Sequence, residues 1–221
     1  MNKIMNSIGQ NARKAILNKI DTQTKNKILK RYALLLDKEK NSIISANQKD
    51  IKFAKKKGLK NNLIDRLTID HKKLVGIKKS IEKIVKIKDP VDCILEKWRR
   101  PNGLTISRVS VPIGVLGIIY ESRPNVTSDV ASLCFKSGNA VILKGGSEAI
   151  NTNKILANLF RKSLKENKVD QNFIQFINSK DRKIVDYMLS KMKDCIDVII
   201  PRGGKSLVKR VQESSTVPII G

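Results

Sequence analysis

Two glycine pairs, each beside basic residues, are the feature of the sequence that most directly suggests chemistry. Lys-Gly-Gly-Ser occupies 144–147 and Arg-Gly-Gly-Lys occupies 202–205, and each follows an apolar run and opens a predicted helix. A glycine pair there lets a phosphate approach the backbone N–H groups, and the helix dipole favours the anion. Neither sequence is a GxGxxG or Walker loop, so a tight turn explains either loop alone. Together the two loops predict a dinucleotide or another phosphorylated ligand.

A polar cluster, Glu-Ser-Arg-Pro-Asn at 121–125, is a third candidate, because it follows the apolar run 115–120 without a spacer. The groups 144–147, 179–180 and 202–205 stand at the same place after other apolar runs. Ligands of open parallel sheets bind at the carboxyl ends of the strands, where helix amino termini and unpaired backbone groups gather. The four clusters therefore predict one site at one edge of a sheet.

Side chains that could act as a nucleophile or a base are scarce. Cys134 has apolar neighbours and is predicted to behave as a small buried apolar residue. Cys93, Cys134 and Cys195 are widely spaced, which predicts neither a disulfide framework nor a zinc site. His71, the single histidine, lies among charged residues at a predicted helix start. The sequence therefore offers no convincing catalytic nucleophile, base or metal site.

Basic residues outnumber acidic residues by 45 to 20, and the formal net charge is +25. Basic surfaces bind nucleic acid by releasing counterions from phosphates, so a nucleic-acid-binding protein is one hypothesis. However, 34 of the 45 are lysines scattered along predicted helices, and only three aromatic residues occur in the first 100 positions. We therefore expect no specific nucleic-acid partner. No apolar run approaches 18 residues and the start lacks a signal-peptide pattern, so we expect a cytoplasmic protein without a membrane partner.

The first half of the chain is predicted to be helical and to end in a hairpin. Within 1–97, the segments 28–36, 42–57 and 70–86 carry apolar residues at helical spacing. Residues 98–111 contain a Pro-Asn-Gly turn followed by alternating apolar and polar residues, which predicts a protruding β-hairpin. Because the edge of such a hairpin needs a cover, we expect it to contact another protomer.

Residues 112–221 alternate apolar strands with helices and are predicted to form an α/β domain. The predicted strands are 115–120, 140–144, 173–177, 198–201 and 217–220. Continuous apolar strands separated by helices indicate a parallel sheet that is covered on both faces.

At this point the sequence can be compared with a known family. The run VPIGVLGIIYESRPNVTSDVASLCFKSGNAVILKGGSEA closely resembles the signature region of the γ-glutamyl phosphate reductases (glutamate-5-semialdehyde dehydrogenases) of the aldehyde dehydrogenase superfamily. The segments SANQKDI, LIDRL, KDPVD, WRRPNGLTISRV, IIPRGGKSLVKRV and SSTVPII resemble family segments in the family order. The resemblance implies an α/β fold with an aldehyde-dehydrogenase-like, Rossmann-type parallel sheet, amino-terminal helices and an oligomerisation hairpin.

The resemblance also implies an activity. It is the NADPH-dependent reduction of L-glutamate 5-phosphate to L-glutamate 5-semialdehyde and phosphate, a step of proline biosynthesis. In the superfamily, a cysteine thiolate attacks the acyl group and a hydride from the cofactor then reduces it. A homo-oligomer is implied, and functional proximity to glutamate 5-kinase is expected because the acyl phosphate is labile.

Several residues acquire roles from this resemblance. Lys144 is expected to face the adenosine ribose or its 2′-phosphate, with Ser147 in the same pocket, and Gly203 and Gly204 are expected beneath the pyrophosphate. The candidate NADP(H)-binding residues are Lys144, Gly145, Gly146, Ser147, Gly203 and Gly204. The candidate substrate and oxyanion contacts are Ser122, Arg123 and Asn125.

The family's catalytic cysteine matches none of the three cysteines, and its position lies beyond Gly221. The sequence is therefore expected to be the amino-terminal part of the family, truncated before the catalytic domain as a fragment, the first half of a split gene or a shortened reading frame. A second hypothesis is a catalytically incomplete remnant that binds NADP without turnover.

Overall fold

Five helices form the amino-terminal part of the chain within residues 2–86, all of which the structure describes. The structure is a computed structural model, and it describes residues 2–121 and 123–221. The helices are α1 Asn2–Ala15, α2 Thr22–Lys38, α3 Lys40–Lys56, α4 Asn61–Leu67 and α5 His71–Lys86. Asp21 and Asp70 accept the Thr24 and Lys73 backbone N–H groups at 2.9 and 2.7 Å and so fix the starts of α2 and α5.

A β-hairpin follows, as predicted, but it begins earlier than residue 98. Strand β1, Ile94–Arg99, pairs antiparallel with β2, Thr105–Val109, around a turn in which Gly103 has a φ of 85°. Every residue of β1 is exposed. A strand with no buried face needs no alternation of apolar and polar residues, so the sequence contains no such pattern to mark where β1 starts.

The rest of the chain forms a parallel sheet covered by helices, which confirms the predicted fold class. The strands are β3 Val115–Tyr120, β4 Ala140–Gly145, β5 Ile174–Phe176 and β6 Val198–Arg202, in the spatial order β5-β4-β3-β6. All residues of β3 and β4 are buried. Since successive side chains of a strand point to opposite faces, both faces of the sheet are covered.

The predicted strand 217–220 is wrong in extent. Only Ile219 pairs with the sheet, as a single parallel bridge to Ile199 beside β6. The Ile199 N–H donates to the Pro218 carbonyl at 2.8 Å, and the Ile220 N–H donates to the Ile199 carbonyl at 3.1 Å. Pro218 has no N–H of its own, so it cannot extend the ladder further.

Among the described residues, three helices connect these strands and a fourth follows β6. They are α6 Pro124–Lys136, α7 Ile150–Glu166, α8 Lys183–Lys191 and α9 Lys205–Ser214. Helix α6 starts three residues before the predicted position 127, because Pro124 occupies its first turn, where a missing N–H costs nothing. Helix α7 starts two residues later than predicted, because 147–149 form a separate 3₁₀ turn. No helix in the described ranges combines the length and hydropathy needed to cross a membrane.

One continuous core joins the amino-terminal helices to the α/β part. Its centre is an aromatic cluster in which the Tyr32 ring of α2 lies 4.6 Å from the Phe160 ring of α7. The Phe135 ring lies 5.7 Å from the rings of both Phe160 and Phe173. These rings belong to helices from both parts of the chain and to the segment before β5, so the two parts pack as neighbours rather than as separate bodies.

Replacing Phe160 with alanine is expected to lower the free energy of unfolding by about 3–5 kcal/mol, because it removes a fully buried ring from this cluster. Urea unfolding followed by circular dichroism measures the change. The exposed Leu17→Ala, at 80% exposure, is the control and is expected to change stability by less than about 0.5 kcal/mol. If both variants lost the same free energy of unfolding, the Phe160 ring would contribute no more to stability than an exposed leucine, which would contradict its place in the core.

Candidate functional site

The loops that follow β3, β4 and β6 meet at one edge of the sheet. Tyr120, the last residue of β3, pairs with Gly145 at the end of β4 and with Arg202 at the end of β6. The Glu121 N–H donates to the Arg202 carbonyl at 3.1 Å, which holds the first of these loops beside the last. Three of the four predicted polar clusters therefore follow strand ends that meet at one edge of the sheet, and Lys180 of the fourth lines the groove at this edge.

A groove of about 370 Å³ opens along this edge. The polar and glycine residues that line it are Glu121, Lys144, Gly145, Gly146, Ser147, Glu148, Lys180, Arg182, Ser206 and Arg210. Four of the six candidate cofactor residues are in this set, whereas Gly203 and Gly204 lie beside it. From β3 the chain continues to β4 and β5 on one side and then returns to β6 on the other side of β3. The ends of β3 and β6 therefore form the topological switch point, where such folds bind ligands.

Lys144 lies at the end of β4 and is almost fully buried, with 6% exposure. Its Nζ donates to the Gly145 carbonyl at 2.9 Å. Burial lowers the pKa of the ammonium, and the carboxylates of Glu148 and Asp181 oppose this shift. An anion bound in the groove would further favour the charged form of Lys144.

Two of the candidate glycines lie close against neighbouring side chains. A Cβ at Gly145 would collide with the Asn153 amide and lie 2.9 Å from Cζ of Tyr120. A Cβ at Gly203 would lie 2.6 Å from Cδ of Glu121, because the Glu121 carboxylate rests against this glycine. Gly145 therefore needs glycine for packing against two buried side chains, whereas a side chain at Gly203 would displace the exposed Glu121 carboxylate.

The loop after β4 is held by Asp50, a buried carboxylate on α3 that the sequence analysis did not single out. Oδ2 of Asp50 accepts the N–H of Thr152 at 2.8 Å and its hydroxyl at 2.7 Å. Oδ1 accepts the N–H of Asn151 at 3.2 Å and its side-chain amide at 2.8 Å. The first turn of α7 is thus capped by a residue from another helix, and its positive dipole end is neutralised.

Asn47 lies one turn earlier on α3 and extends this contact. Its Nδ2 donates to the Leu67 carbonyl at 2.9 Å and to Oγ1 of Thr152 at 3.2 Å, and its Oδ1 accepts the Ile69 N–H at 2.7 Å. The sequence held a signal for both residues. Asn47 and Asp50 fall on the same helical stripe as the buried Ile43 and Ala54, and polar residues on a buried stripe require partners.

Helix α3 also supports the loop that follows β5. The Lys180 ammonium lies 4.1 Å from the centroid of the Phe53 ring, within the range of a cation–π contact. Lys180 also lines the groove. Helix α3 therefore positions residues in two of the loops around the groove, the loop after β4 and the loop after β5.

Arg123 and Asn125 line a different cavity, of about 540 Å³, between α4, α5 and α6. Nδ2 of Asn125 donates to Oδ2 of Asp129 at 3.1 Å across one helical turn. Ser122, the third candidate substrate contact, lies outside the described residues. Among the described residues, the structure therefore does not bring the candidate cofactor and substrate residues into one cavity, since Glu121 lines the groove whereas Arg123 and Asn125 line the second cavity.

The thiols show no sign of activation in the described residues. Burial raises the pKa of Cys134 to about 12, and burial also raises the pKa of the partly exposed Cys195. Sγ of Cys93 donates to the Asp89 carbonyl at 3.1 Å near the base of the hairpin. The interpretation of Cys134 as a buried apolar residue is confirmed.

Comparison with known proteins agrees with this architecture. A γ-glutamyl phosphate reductase of Thermoanaerobacter sp. (strain X514) is 49% identical over 201 residues, which are 91% of this chain and 48% of that protein. The crystal structure of a γ-glutamyl phosphate reductase from Thermotoga maritima superposes with a TM-score of 0.93 at 39% identity, covering 96% of this chain and 52% of that one. The chain is a homologue of the γ-glutamyl phosphate reductases.

The chain spans about half the length of these reductases. A probable aldehyde dehydrogenase from Listeria monocytogenes has a TM-score of 0.73 at 17% identity, which extends the likeness in fold, and the fold alone, to that superfamily. No protein-family model matches the chain.

Replacing Asp50 with asparagine is expected to lower the free energy of unfolding by about 1–3 kcal/mol, because an amide of the same size loses the charge and turns one acceptor into a donor. Urea unfolding measures this loss. The control is Asp37→Asn, which alters a carboxylate 57% exposed in its pair with Lys78 and is expected to change stability by less than about 0.5 kcal/mol. Unchanged stability of Asp50→Asn would contradict the assigned cap.

Cys134 is expected to react at pH 8 about 1,000-fold more slowly with a thiol reagent in the folded chain than in the unfolded chain. Burial raises the pKa of the Cys134 thiol to about 12 from an ordinary value of 9.0. The contribution of the protonated thiol to the free energy of unfolding is therefore complete below pH 9 and is lost as the pH rises towards 12. Mass spectrometry of timed samples measures the rate. Equally fast labelling with and without denaturant would show that Cys134 is accessible.

Proposed function

We propose that this chain forms the nucleotide-binding part of an NADPH-dependent enzyme that reduces L-glutamate 5-phosphate to L-glutamate 5-semialdehyde and phosphate in proline biosynthesis. The 49% identity to a γ-glutamyl phosphate reductase supports the reaction. The observation that carries the proposal is the cationic groove at the switch point of the parallel sheet, the place where this architecture binds nucleotides. When bound, the cofactor supplies the hydride.

The two glycine loops are not equivalent as phosphate sites. The first turn of α7 is occupied by the Asp50 carboxylate. Helix α9 follows Gly204 and has no side-chain cap, so its first N–H groups and positive dipole end are available to an anion. We therefore assign the pyrophosphate to the start of α9 and the ribose end of the cofactor to the loop that contains Lys144 and Ser147. Since the Glu121 carboxylate lies against Gly203, the phosphate contact is expected beyond Gly204.

The charges of the groove favour NADPH over NADH. Lys144, Lys180 and Arg182 supply three positive charges near the ribose end, against the carboxylate of Glu148. A 2′-phosphate would pair with these cations and restore the lowered pKa of Lys144. Affinity for NADPH is therefore expected to fall as the pH rises through the pKa of Lys144, since deprotonation removes one of the charges.

Titration of the chain with each nucleotide tests this assignment. NADPH is expected to bind at least about 10-fold more tightly than NADH, and Arg182→Ala is expected to remove much of this difference, because a charge-assisted hydrogen bond contributes about 1.5–3 kcal/mol. Arg108→Ala on the exposed hairpin is a charge-matched control and is expected to leave both affinities unchanged. Equal affinities for NADPH and NADH in the unaltered chain would refute the 2′-phosphate assignment.

A second candidate function is cofactor binding without turnover. It is favoured by the raised pKa values of Cys134 and Cys195, which leave both thiols protonated at neutral pH. The chain can be assayed in reverse with L-glutamate 5-semialdehyde, phosphate and NADP. Turnover by this chain alone would refute the second candidate, whereas binding of NADPH without turnover is the result that both candidates predict for the chain alone.

The proposal extends to partners and location. The hairpin exposes apolar side chains at Ile94, Leu95 and Leu104, with exposures of 62%, 57% and 56%, which suit a contact with a second copy of the chain. Proximity to glutamate 5-kinase follows from the instability of the acyl phosphate that the kinase would deliver. Free thiols at all three cysteines are typical of a reducing compartment, and the proposal places the protein in the cytoplasm.

A further inference from the structure

The second cavity, between α4, α5 and α6, contains charged groups of both signs. It has a volume of about 540 Å³, within the range of small-molecule sites, and shares no lining residue with the nucleotide groove. Arg66 enters from α4, Lys73 from α5, and Arg123 from the loop before α6, while Asp129 lies on α6. Such a mixture suits a ligand that carries both an anion and a cation.

Lys73 already has a structural role. Its Nζ donates to the carbonyls of Asp65 and Thr68, at the carboxyl end of α4, where a cation stabilises the exposed carbonyl groups. The guanidinium groups of Arg66 and Arg123 are therefore the cations best placed to bind a ligand carboxylate. Their planar forks match a carboxylate with paired hydrogen bonds.

Asp129 has acceptor capacity that the described residues do not use. Oδ2 accepts from Asn125 at 3.1 Å, but Oδ1 is buried and has no hydrogen-bond partner among the residues described. A buried acceptor without a partner costs about 1–3 kcal/mol, so a further hydrogen bond to this carboxylate would be stabilising. A ligand ammonium at this carboxylate would satisfy it.

We propose that this cavity binds the α-amino-acid end of the substrate, with the ammonium at Asp129 and the α-carboxylate at Arg66 and Arg123. The buried Ile69 and Ile77 also line the cavity and provide an apolar surface for the methylene groups between the two ends. The inference rests on the proposed function, since an α-amino acid with an activated side-chain carboxyl has this pattern of charges. The acyl end would then point towards the groove that Glu121 lines, two residues before Arg123 in the chain.

Saturation-transfer NMR on the 221-residue chain tests this site with three stable probes. L-Glutamate carries both charged groups, glutarate lacks the ammonium, and 4-aminobutyrate lacks the α-carboxylate. L-Glutamate is expected to bind at least about 10-fold more tightly than either analogue, because each missing group forfeits a charge-assisted contact. Equal binding of all three probes, or binding of none, would overturn the proposal.

Variants identify the groups responsible. Asp129→Asn is expected to weaken binding of L-glutamate at least about 10-fold and to abolish its preference over glutarate, an effect on selectivity that a purely structural role would not produce. Asp65→Asn, a carboxylate on the exposed rim of the same cavity, is the matched control and is expected to change the affinity less than about 3-fold. An equal loss in Asp65→Asn would overturn the assignment to Asp129.

Two further measurements keep the result decisive. If Asp129→Asn does not fold by circular dichroism, Arg66→Gln is used instead, and it must weaken L-glutamate while leaving 4-aminobutyrate unchanged. NADPH is titrated into the same samples, because the nucleotide groove shares no lining residue with this cavity. Binding of NADPH without L-glutamate would overturn the inference and leave the proposed cofactor site standing, whereas binding of L-glutamate without NADPH would do the reverse.

Discussion

The contact between Asp50 of α3 and the first turn of α7 is the interaction on which the groove at the carboxyl edge of the sheet depends. Four donors from Asn151 and Thr152 converge on a carboxylate that is 1% exposed. The loop that carries Lys144 and Ser147 ends at this turn, so its position is set by a helix about 100 residues earlier. Thr152 is fully buried, so its N–H and hydroxyl would have no partner without this carboxylate.

This cap also decides the electrostatics of the site. A carboxylate at the start of α7 neutralises the dipole that would otherwise attract a phosphate, whereas α9 starts without a side-chain cap. Two loops of nearly the same composition therefore have different chemical capacities. The difference arises from what packs behind each loop, since α3 lies against α7 and supplies no acceptor to α9.

Glu121 and Arg123 line two different cavities near the carboxyl edge of the sheet. Glu121 lies on the groove side, against Gly203, while Arg123 and Asn125 line the cavity between the helices. The amino-terminal helices thus form the wall of one cavity and support the loops of the other.

The sequence alone determined the features that depend on local pattern. The strand 115–120 was predicted with the bounds that β3 has, because a continuous apolar run bounded by glycine and a polar cluster is a local signal. The parallel sheet and the shared edge followed from the alternation of strands and helices. Only the tertiary structure revealed the cap at Asp50, the carboxylate over Gly203 and the separation of the two cavities. These features join residues that are tens to about a hundred positions apart, and no periodicity within one element encodes which distant element will supply a partner.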